Sequence, residues 1–215
     1  RPTFDVVTGI SAGALIATYA FLGPDYDRRM TEAYTTITDR DVYRRRSVAA
    51  VPFADAAADS APLRRLIARY ADADLIAAVA REHRTGRRLY VGTTNLDTKR
   101  LVVWDMGAIA ASGRSDLYRT VLLASASPPG FLPPVPISVT VNGERFTELH
   151  ADGGATAGVF LRASTLQTDG PTAGGKPLAG SDAYVIVAGK LYPDPAATDR
   201  RVVKIAESGL QSVLF

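Results

Sequence analysis

The chain has 215 residues, of which 47% are hydrophobic and 22% charged, and its formal net charge is +3. This composition is typical of a globular protein with one sizeable core, and no apolar run reaches the length needed to cross a membrane. Because the sequence contains no cysteine, disulfides, thiol catalysis and cysteine metal sites are excluded.

The first predicted elements are a strand, a sharp turn and a helix. A β-branched run in residues 4–8 predicts the strand, and an alanine-rich run over Ala12–Leu22 predicts a helix that ends before Gly23 and Pro24. The turn between them reads GISAG, a G-x-S-x-G sequence in the strand–turn–helix context that this motif requires. The context predicts that Ser11, at the apex of the turn, is a nucleophile.

The residues around Ser11 suit this role for physical reasons. A side chain at Gly9 or at Gly13 is expected to collide with the neighbouring strand or helix. At the first turn of the helix, the unpaired N–H of Ala12 and the helix dipole favour a developing negative charge. The alternative is a serine that only caps a helix, between two turn glycines.

Apolar periodicity and turn residues predict an alternation of further helices and strands along the chain. Helices are predicted over residues 25–37, 63–70, 75–83, 117–125 and 199–215. Strands are predicted over residues 89–93, 101–104, 137–141, 145–150 and 184–188, and irregular structure over 39–58 and 170–180. Ser60 is predicted to cap the helix that follows it, and Asn142-Gly143 predicts a type I′ hairpin turn.

This alternation favours one α/β domain over residues 1–215, with a largely parallel sheet covered by helices on both faces. No internal repeat divides the sequence. A natural N-terminus rarely opens on a central strand, so we expect further residues upstream of Arg1.

Basic residues cluster at 44–46, 64–65 and 81–88. Such clusters are typical of solvated helix faces, and the functional alternative is weak attraction to anionic lipid headgroups. Nucleic-acid binding is disfavoured, because no aromatic-plus-basic motif accompanies the charge.

Ser11 needs a base to take its proton, and the usual base is histidine. The chain has two histidines. His83 lies in a charged helix end and is expected to be exposed, whereas His150 lies at the end of a strand. Two residues later comes Asp152, followed by two glycines. An aspartate at this point of a strand lies where sites form in α/β proteins, although D-G-G is also an ordinary turn.

Taken together, GISAG at the start and DGG at 152–154 resemble the motifs of the patatin-like phospholipases. The stretches TTNLDT at 93–98, ASASP at 124–128 and FLPP at 131–134 are similar to the family's sequence in the same order, so the resemblance spans roughly residues 4–187. The resemblance implies a three-layer α/β/α fold with a mostly parallel central sheet. It also implies lipid acyl hydrolysis without a cofactor, contact with a membrane surface, and a bacterial protein of the cell envelope or a secreted one.

Carried over residue by residue, the resemblance implies that Ser11 attacks an ester carbonyl and that Asp152 is the general base. Because aspartate is a weak base, a partly apolar setting that includes Ala151 is expected to raise its pKa. Gly9, Ala12 and Gly13 would support the turn and the oxyanion, and Gly153 and Gly154 would let the backbone approach closely. An acyl channel would add Phe131, Leu132, Val159 and Phe160, for which an ordinary place in the core is the alternative.

Two departures from the family pattern stand out. The family's glycine-rich oxyanion loop does not precede Gly9, so we expect it upstream of Arg1. After the D-G-G turn, the asparagine-proline pair common in the family is replaced by ATAG at residues 155–158, so the substrate wall there is expected to differ.

Two other functions stay open at this point. One is a carboxylesterase with a Ser-His-Asp triad, in which His150 is the base and Asp97, Asp105 or Asp116 is the third member. The other is a catalytically silent lipid-binding domain on the same fold. A metal-dependent hydrolase is disfavoured, because two histidines without cysteines or a carboxylate cluster give poor ligand spacing.

Overall fold

The computed structural model describes residues 2–47, 54–158, 160 and 182–186. The contacts between residues divide the chain into two units, Arg1–Lys176 and Pro177–Phe215. All helices and strands given below belong to the first unit, and the single-domain organisation stays a prediction. The predicted loop at 170–180 and the predicted helix at 199–215 lie outside the described residues.

The described helices of the first unit are short, with at most 12 residues each. They are α1 Ala12–Leu22, α2 Asp27–Thr35, α3 Asp39–Val42, α4 Ala61–Tyr70, α5 Ala73–Arg84, α6 Met106–Ala111 and α7 Ser115–Ser125. Two 3₁₀ turns, Pro24–Tyr26 and Gly153–Ala155, complete the helical elements among the described residues.

The strands form one five-stranded sheet and one two-stranded ribbon. They are β1 Val6–Gly9, β2 Arg44–Arg45, β3 Ala58–Asp59, β4 Arg88–Asn95, β5 Arg100–Asp105, β6 Val135–Val141 and β7 Glu144–Asp152. In the larger sheet the order is β1-β4-β7-β6, with β5 also paired to β4, whereas β2 and β3 pair only with each other.

The central strand β4 explains how the sheet brings distant residues together. On one edge, β5 pairs antiparallel with β4 along Tyr90–Asn95. Because a strand has two edges, β1 and β7 must share the other one. There β1 runs parallel to the first half of β4 until Gly9 lies opposite Val91, and β7 runs antiparallel to the second half until Asp152 lies opposite Thr93. The C-terminal ends of β1 and β7 therefore meet end to end beside Gly92.

The helices α1, α5 and α7 contact one another and β4, and they cover the sheet with an apolar layer. The core between them is fully buried at Phe21, Leu89, Val91, Tyr118 and Leu122. Burial of such side chains contributes about 1.5–3 kcal/mol each, so this layer is the main source of stability for the elements that carry the strand ends.

Local sequence signals account for several boundaries of these elements. Asp72 accepts a hydrogen bond from the N–H of Leu75 at 2.9 Å and so caps α5. The turn between β6 and β7 has φ of 52° at Asn142 and 86° at Gly143, which confirms the predicted type I′ hairpin. The N-cap of α4 was predicted at Ser60, and Ser60 occupies that position, but its side chain makes no cap bond. The N–H of Ala61 donates instead to the carboxylate of Asp59 at 2.9 Å.

The predicted fold class is confirmed, since helices pack on a sheet that contains parallel strands. The sheet is mixed, however, and among the strand pairs that the structure describes only β1–β4 is parallel. The expectation of a mostly parallel sheet fails because β4–β5 and β6–β7 are joined by short turns, and such hairpins can only be antiparallel.

Two other predictions are wrong where the structure describes the residues. The stretch at 39–58 contains α3 and the ribbon β2–β3, where an irregular segment was predicted. The buried strand predicted at 184–188 is absent over Tyr184–Ile186, whose residues have no regular structure and are 62–82% exposed. Apolar and β-branched residues favour a strand only where a neighbouring strand takes their backbone hydrogen bonds.

One arginine of the basic cluster at 81–88 is buried and has a structural role, where a solvated side chain was expected. Arg87 is 9% exposed and lies 4.5 Å from the ring of Phe21. Its guanidinium pairs with Glu82 at 2.7 Å and donates to the carbonyl of Phe4 at 2.8 Å and to the carbonyl of Phe21. This side chain therefore ties the beginning of β4 to the ends of α1 and α5.

The contact between β1 and α1 depends on a glycine. A Cβ built at Gly9 would lie 2.5 Å from the carbonyl oxygen of Gly13 and 2.7 Å from the Cβ of Ala17. This agrees with the predicted collision at Gly9. At Gly13 the prediction is wrong, because an added Cβ would meet no described atom within 4 Å. Gly13, the second residue of α1, therefore has open space where a methyl group would go.

We expect Gly9→Ala to lower the free energy of unfolding by about 1–3 kcal/mol, because β1 and α1 must move apart to admit the methyl group. Gly13→Ala is the matched control, and it should stay within about 0.5 kcal/mol of the wild type or stabilise the helix. Urea unfolding followed by circular dichroism measures both. Equal losses in the two variants would contradict the packing argument.

Candidate active site

Ser11 lies between β1 and α1 in a strained backbone conformation. Its φ is 57° and its ψ is −131°, and its side chain makes no hydrogen bond that caps the helix. A non-glycine residue in this region costs about 1–3 kcal/mol, which is retained where the surrounding structure holds it. The residue is half-buried. Its hydroxyl lies at the start of α1 but does not cap the helix, so the capping role considered as the alternative for this serine is not observed.

Asp152 is the last residue of β7 and is 1% exposed. Burial raises the pKa of its carboxyl group above the ordinary value, while hydrogen bonds from the Ser11 hydroxyl and from the backbone of Gly154 oppose this increase. The N–H of Gly154 donates to Oδ1 at 2.8 Å. The structure thus brings Ser11 and Asp152 together from positions 141 residues apart, and it places the carboxylate in the setting expected to make it a stronger base.

The glycines after Asp152 have different roles. A Cβ at Gly153 would lie 2.6 Å from the carbonyl oxygen of Gly92, so the turn can approach β4 only without a side chain there. At Gly154 a Cβ would lie 3.1 Å from Oδ1 of Asp152, which is a tight contact with the carboxylate itself. The turn therefore packs closely against the central strand, and its Gly154 N–H donates to the carboxylate of Asp152.

Sequence reasoning missed two residues that hold these backbones, Thr94 and Ser125. The hydroxyl of Thr94 donates to the carbonyl of Asp152 at 2.8 Å. The hydroxyl of Ser125 accepts from the N–H of Ser11 at 3.0 Å and donates to the carbonyl of Gly92 at 2.7 Å. Both lie in stretches noticed for their resemblance, TTNLDT and ASASP, but only the tertiary structure shows what their hydroxyls contact.

His150 belongs to a separate buried network. It is 0% exposed, and burial lowers its pKa while Glu148 opposes the change. Trp104 Nε1 donates to Thr93 Oγ1 at 2.8 Å, Thr93 Oγ1 lies 2.9 Å from Nδ1 of His150, and Nε2 of His150 lies 3.2 Å from Glu148 Oε2. A neutral ring protonated on Nε2 satisfies all three contacts. Both ring nitrogens are therefore engaged with residues other than Ser11.

The aspartates considered as third members of a histidine triad have other partners. Asp97 accepts from the N–H of Leu149 at 3.0 Å, and Asp105 accepts from the N–H of Ala108 and so caps α6. Asp116 is fully exposed on α7. The carboxylate at hydrogen-bond distance from the ring of His150 belongs to Glu148 instead.

His83 was expected to be solvent-exposed, and this prediction is wrong. Its side chain is 18% exposed and packs against Gly107 of α6, where an added Cβ would lie 2.3 Å from Nδ1. Burial lowers the pKa of His83, and the carboxylate of Asp105, 3.7 Å away, opposes this change. The sequence around His83 is charged, but α6, which was not predicted, covers the ring.

The residues proposed for an acyl channel are spread over the first unit. Leu132 and Phe160 are 2% and 4% exposed, and the half-buried ring of Phe131 packs edge-on against Tyr43 at 4.9 Å. Phe160 lies beside Gly92, with its ring 2.9 Å from the position that a Cβ there would take. Val159 lies outside the described residues. Among the three described members of this set, Phe160 is thus the one that contacts β4 at Gly92, beside the strand ends.

Two further features, metal ligands and membrane-spanning helices, concern only the part of the chain that the structure describes. There, no group of three or more histidine, aspartate or glutamate side chains is arranged to hold a metal ion. In the same residues, no helix is both long and apolar enough to span a bilayer.

Comparison with known families gives one match and one negative result. The family model described as Patatin, patatin-like phospholipase, matches residues 1–163. This stretch contains β1 to β7 and both residues of the Ser11–Asp152 pair. No curated protein matches the chain significantly.

The raised pKa of Asp152 predicts how the free energy of unfolding depends on pH. The folded state binds this proton more tightly than the unfolded state, so the stabilisation is fully present below the unfolded pKa of about 3.9 and is lost as pH rises through the folded pKa. We therefore expect the unfolding free energy of the wild type to fall relative to that of Asp152→Asn as pH rises from about 4 to neutrality. Urea unfolding of both proteins at several pH values measures the difference. A difference that is constant or rises with pH would contradict the burial argument.

Proposed function

Since this chain belongs to the patatin-like phospholipase family, we propose that it is a serine lipid acyl hydrolase of the phospholipase A or lysophospholipase type. Membership of the family implies a hydrolase that acts on lipid esters. The finer proposal is that Ser11 and Asp152 form a catalytic dyad and that the reaction passes through an acyl-enzyme. Contact of the enzyme with a membrane surface is part of the same proposal.

One observation carries this proposal. A buried carboxylate with a raised pKa is hydrogen-bonded to the hydroxyl of a serine in a strained turn. A raised pKa makes Asp152 a better proton acceptor, and the strained turn presents the hydroxyl of Ser11 at the start of a helix. These are the two properties that an aspartate base and a serine nucleophile need.

In the proposed reaction, Asp152 takes the proton of Ser11 as Oγ attacks the ester carbonyl carbon. The tetrahedral intermediate collapses, the proton passes from Asp152 to the leaving alkoxide oxygen, and the alcohol departs. Asp152 then removes a proton from water, which attacks the acyl group on Ser11 and releases the fatty acid. Serine and aspartate return to their starting states, so no cofactor is consumed.

The negative charge on the intermediate needs donors near Ser11. Helix α1 begins at Ala12, and the first N–H groups of a helix have no partner within the helix. The N–H of Ala12 and the positive end of the α1 dipole are thus the donors that the described residues offer.

We expect Ser11→Ala and Asp152→Asn each to lower kcat/KM about 10²- to 10⁴-fold, and the double variant to be no worse than the single ones, because the two residues act as a unit. Hydrolysis of a short-chain p-nitrophenyl ester, then of a diacyl phospholipid and a lysophospholipid, measures the loss. His150→Gln is the matched control, since it changes a buried side chain two residues from Asp152 and should retain activity.

The outcomes separate the alternatives. Activity that survives Asp152→Asn but is lost in His150→Gln, with both variants folded, would replace the dyad with a histidine-based triad. A folded wild type without turnover on any of these esters would favour the catalytically silent lipid-binding domain.

The pH dependence of kcat/KM provides a further prediction. The base must be deprotonated, so activity should rise with pH along an acid limb set by Asp152, with a midpoint above the ordinary aspartate pKa of about 3.9. Rate measurements from about pH 3.5 to 8 test this. Burial lowers the pKa of His150 toward the same region, so the profile is read together with the Asp152→Asn result. A midpoint at or below the ordinary aspartate value would contradict the proposed base.

A further inference from the structure

We propose that Ser125 is a positioning residue for the reaction, because its hydroxyl holds the backbone of Ser11 in the conformation that presents the nucleophile to Asp152. The catalytic consequence of this inference rests on the proposed function. The contact itself rests on the geometry alone, so the two can be tested separately.

The hydroxyl of Ser125 uses both of its hydrogen-bonding capacities at the site. Ser125 is the last residue of α7 and is 0% exposed. Its O–H donates to the carbonyl of Gly92 at 2.7 Å, and its oxygen accepts from the N–H of Ser11 at 3.0 Å. One buried hydroxyl therefore joins α7, the central strand and the turn that carries the nucleophile.

The location of this hydroxyl follows from the topology of the sheet. On one edge of β4, the pairing with β1 ends at Val91 and the pairing with β7 ends at Thr93. Gly92 lies between these ends, where a continuous strand would otherwise offer its carbonyl an N–H. The Ser125 hydroxyl donates to that carbonyl, and its oxygen accepts from the N–H of Ser11.

The same segment also holds the backbone of the proposed base. The carbonyl of Ser127 accepts from the N–H of Asp152 at 2.8 Å. This contact with Asp152 uses only the main chain of Ser127, so it is kept when the side chain of Ser127 is replaced. The hydroxyl of Ser127 points elsewhere, because it donates to the carbonyl of Leu123 in α7 at 2.7 Å.

Without the Ser125 hydroxyl, the N–H of Ser11 would lose the acceptor that helps to hold its backbone at a positive φ of 57°. Relaxation of this turn would move the nucleophile away from the carboxylate. A misplacement of about 1 Å can cost about 10²-fold in rate.

The experiment compares Ser125→Ala with Ser127→Ala in the intact protein. Each variant removes one fully buried hydroxyl and its hydrogen bond to a backbone carbonyl, and Ser125→Ala also removes the acceptor of the Ser11 N–H, so its loss of thermal stability should be the larger of the two. We expect kcat on a p-nitrophenyl ester to fall about 10- to 100-fold in Ser125→Ala with KM within about twofold, and to stay close to the wild-type value in Ser127→Ala.

Amide hydrogen exchange of the ¹⁵N-labelled protein tests the contact independently of turnover. The N–H of Ser11 should exchange faster in Ser125→Ala and at the wild-type rate in Ser127→Ala. Equal losses of kcat in the two variants, or a wild-type kcat in Ser125→Ala, would overturn the positioning role. Unchanged exchange at Ser11 in Ser125→Ala would overturn the contact.

Failure of the proposed function has a different signature. A wild type that neither hydrolyses esters nor reacts at Ser11 with a fluorophosphonate probe overturns the proposed hydrolase and, with it, the catalytic role of Ser125. The exchange rate of the Ser11 N–H then decides the structural contact.

Discussion

The arrangement of the site depends on two strands that end against each other on one edge of β4. Strand β1 arrives parallel and stops at Gly9, and β7 arrives antiparallel and stops at Asp152, with Gly92 between them. Gly153 lets the end of β7 approach β4, because a Cβ there would lie 2.6 Å from the carbonyl oxygen of Gly92. Gly9 lets α1 pack on the end of β1, because a Cβ there would lie 2.5 Å from the carbonyl oxygen of Gly13. The serine and the carboxylate follow directly from these strand ends, which is how two residues far apart in sequence come to interact.

Burying a carboxylate opposes folding, and the structure offsets this cost only in part. Asp152 receives hydrogen bonds from the Ser11 hydroxyl and the Gly154 N–H, yet burial still raises its pKa. A fully compensated carboxylate would be more stabilising but a weaker base, as expected where a functional site is maintained at some expense of stability. His150, equally buried, has both ring nitrogens engaged with Thr93 and Glu148. The carboxylate of Asp152 is thus available to accept the proton of a neighbouring serine, whereas the ring nitrogens of His150 are not.

Features determined by neighbouring residues could be predicted from the sequence, and features determined by distant ones could not. The helix Ala12–Leu22 and the Asn142-Gly143 turn depend on local periodicity and turn chemistry, and both agree with prediction. The mixed pairing of β4 depends on which strands meet on its edges. Likewise, the burial of Arg87 and the contact of Ser125 with Ser11 join residues 66 and 114 positions apart, for which no local pattern exists. The motifs indicated which residues matter, and the long-range contacts explain how they are held.

Two independent contacts hold the strained backbone of Ser11. On one side, Gly9 lets α1 pack closely on β1, so that the helix can begin at Ala12 immediately after the turn. On the other side, the end of α7 supplies the acceptor for the Ser11 N–H. Because α7 is anchored in the core by fully buried side chains such as Tyr118 and Leu122, this acceptor belongs to a rigid element. Hydrophobic packing some distance from the reacting atoms therefore maintains a backbone conformation that the turn residues alone would not adopt.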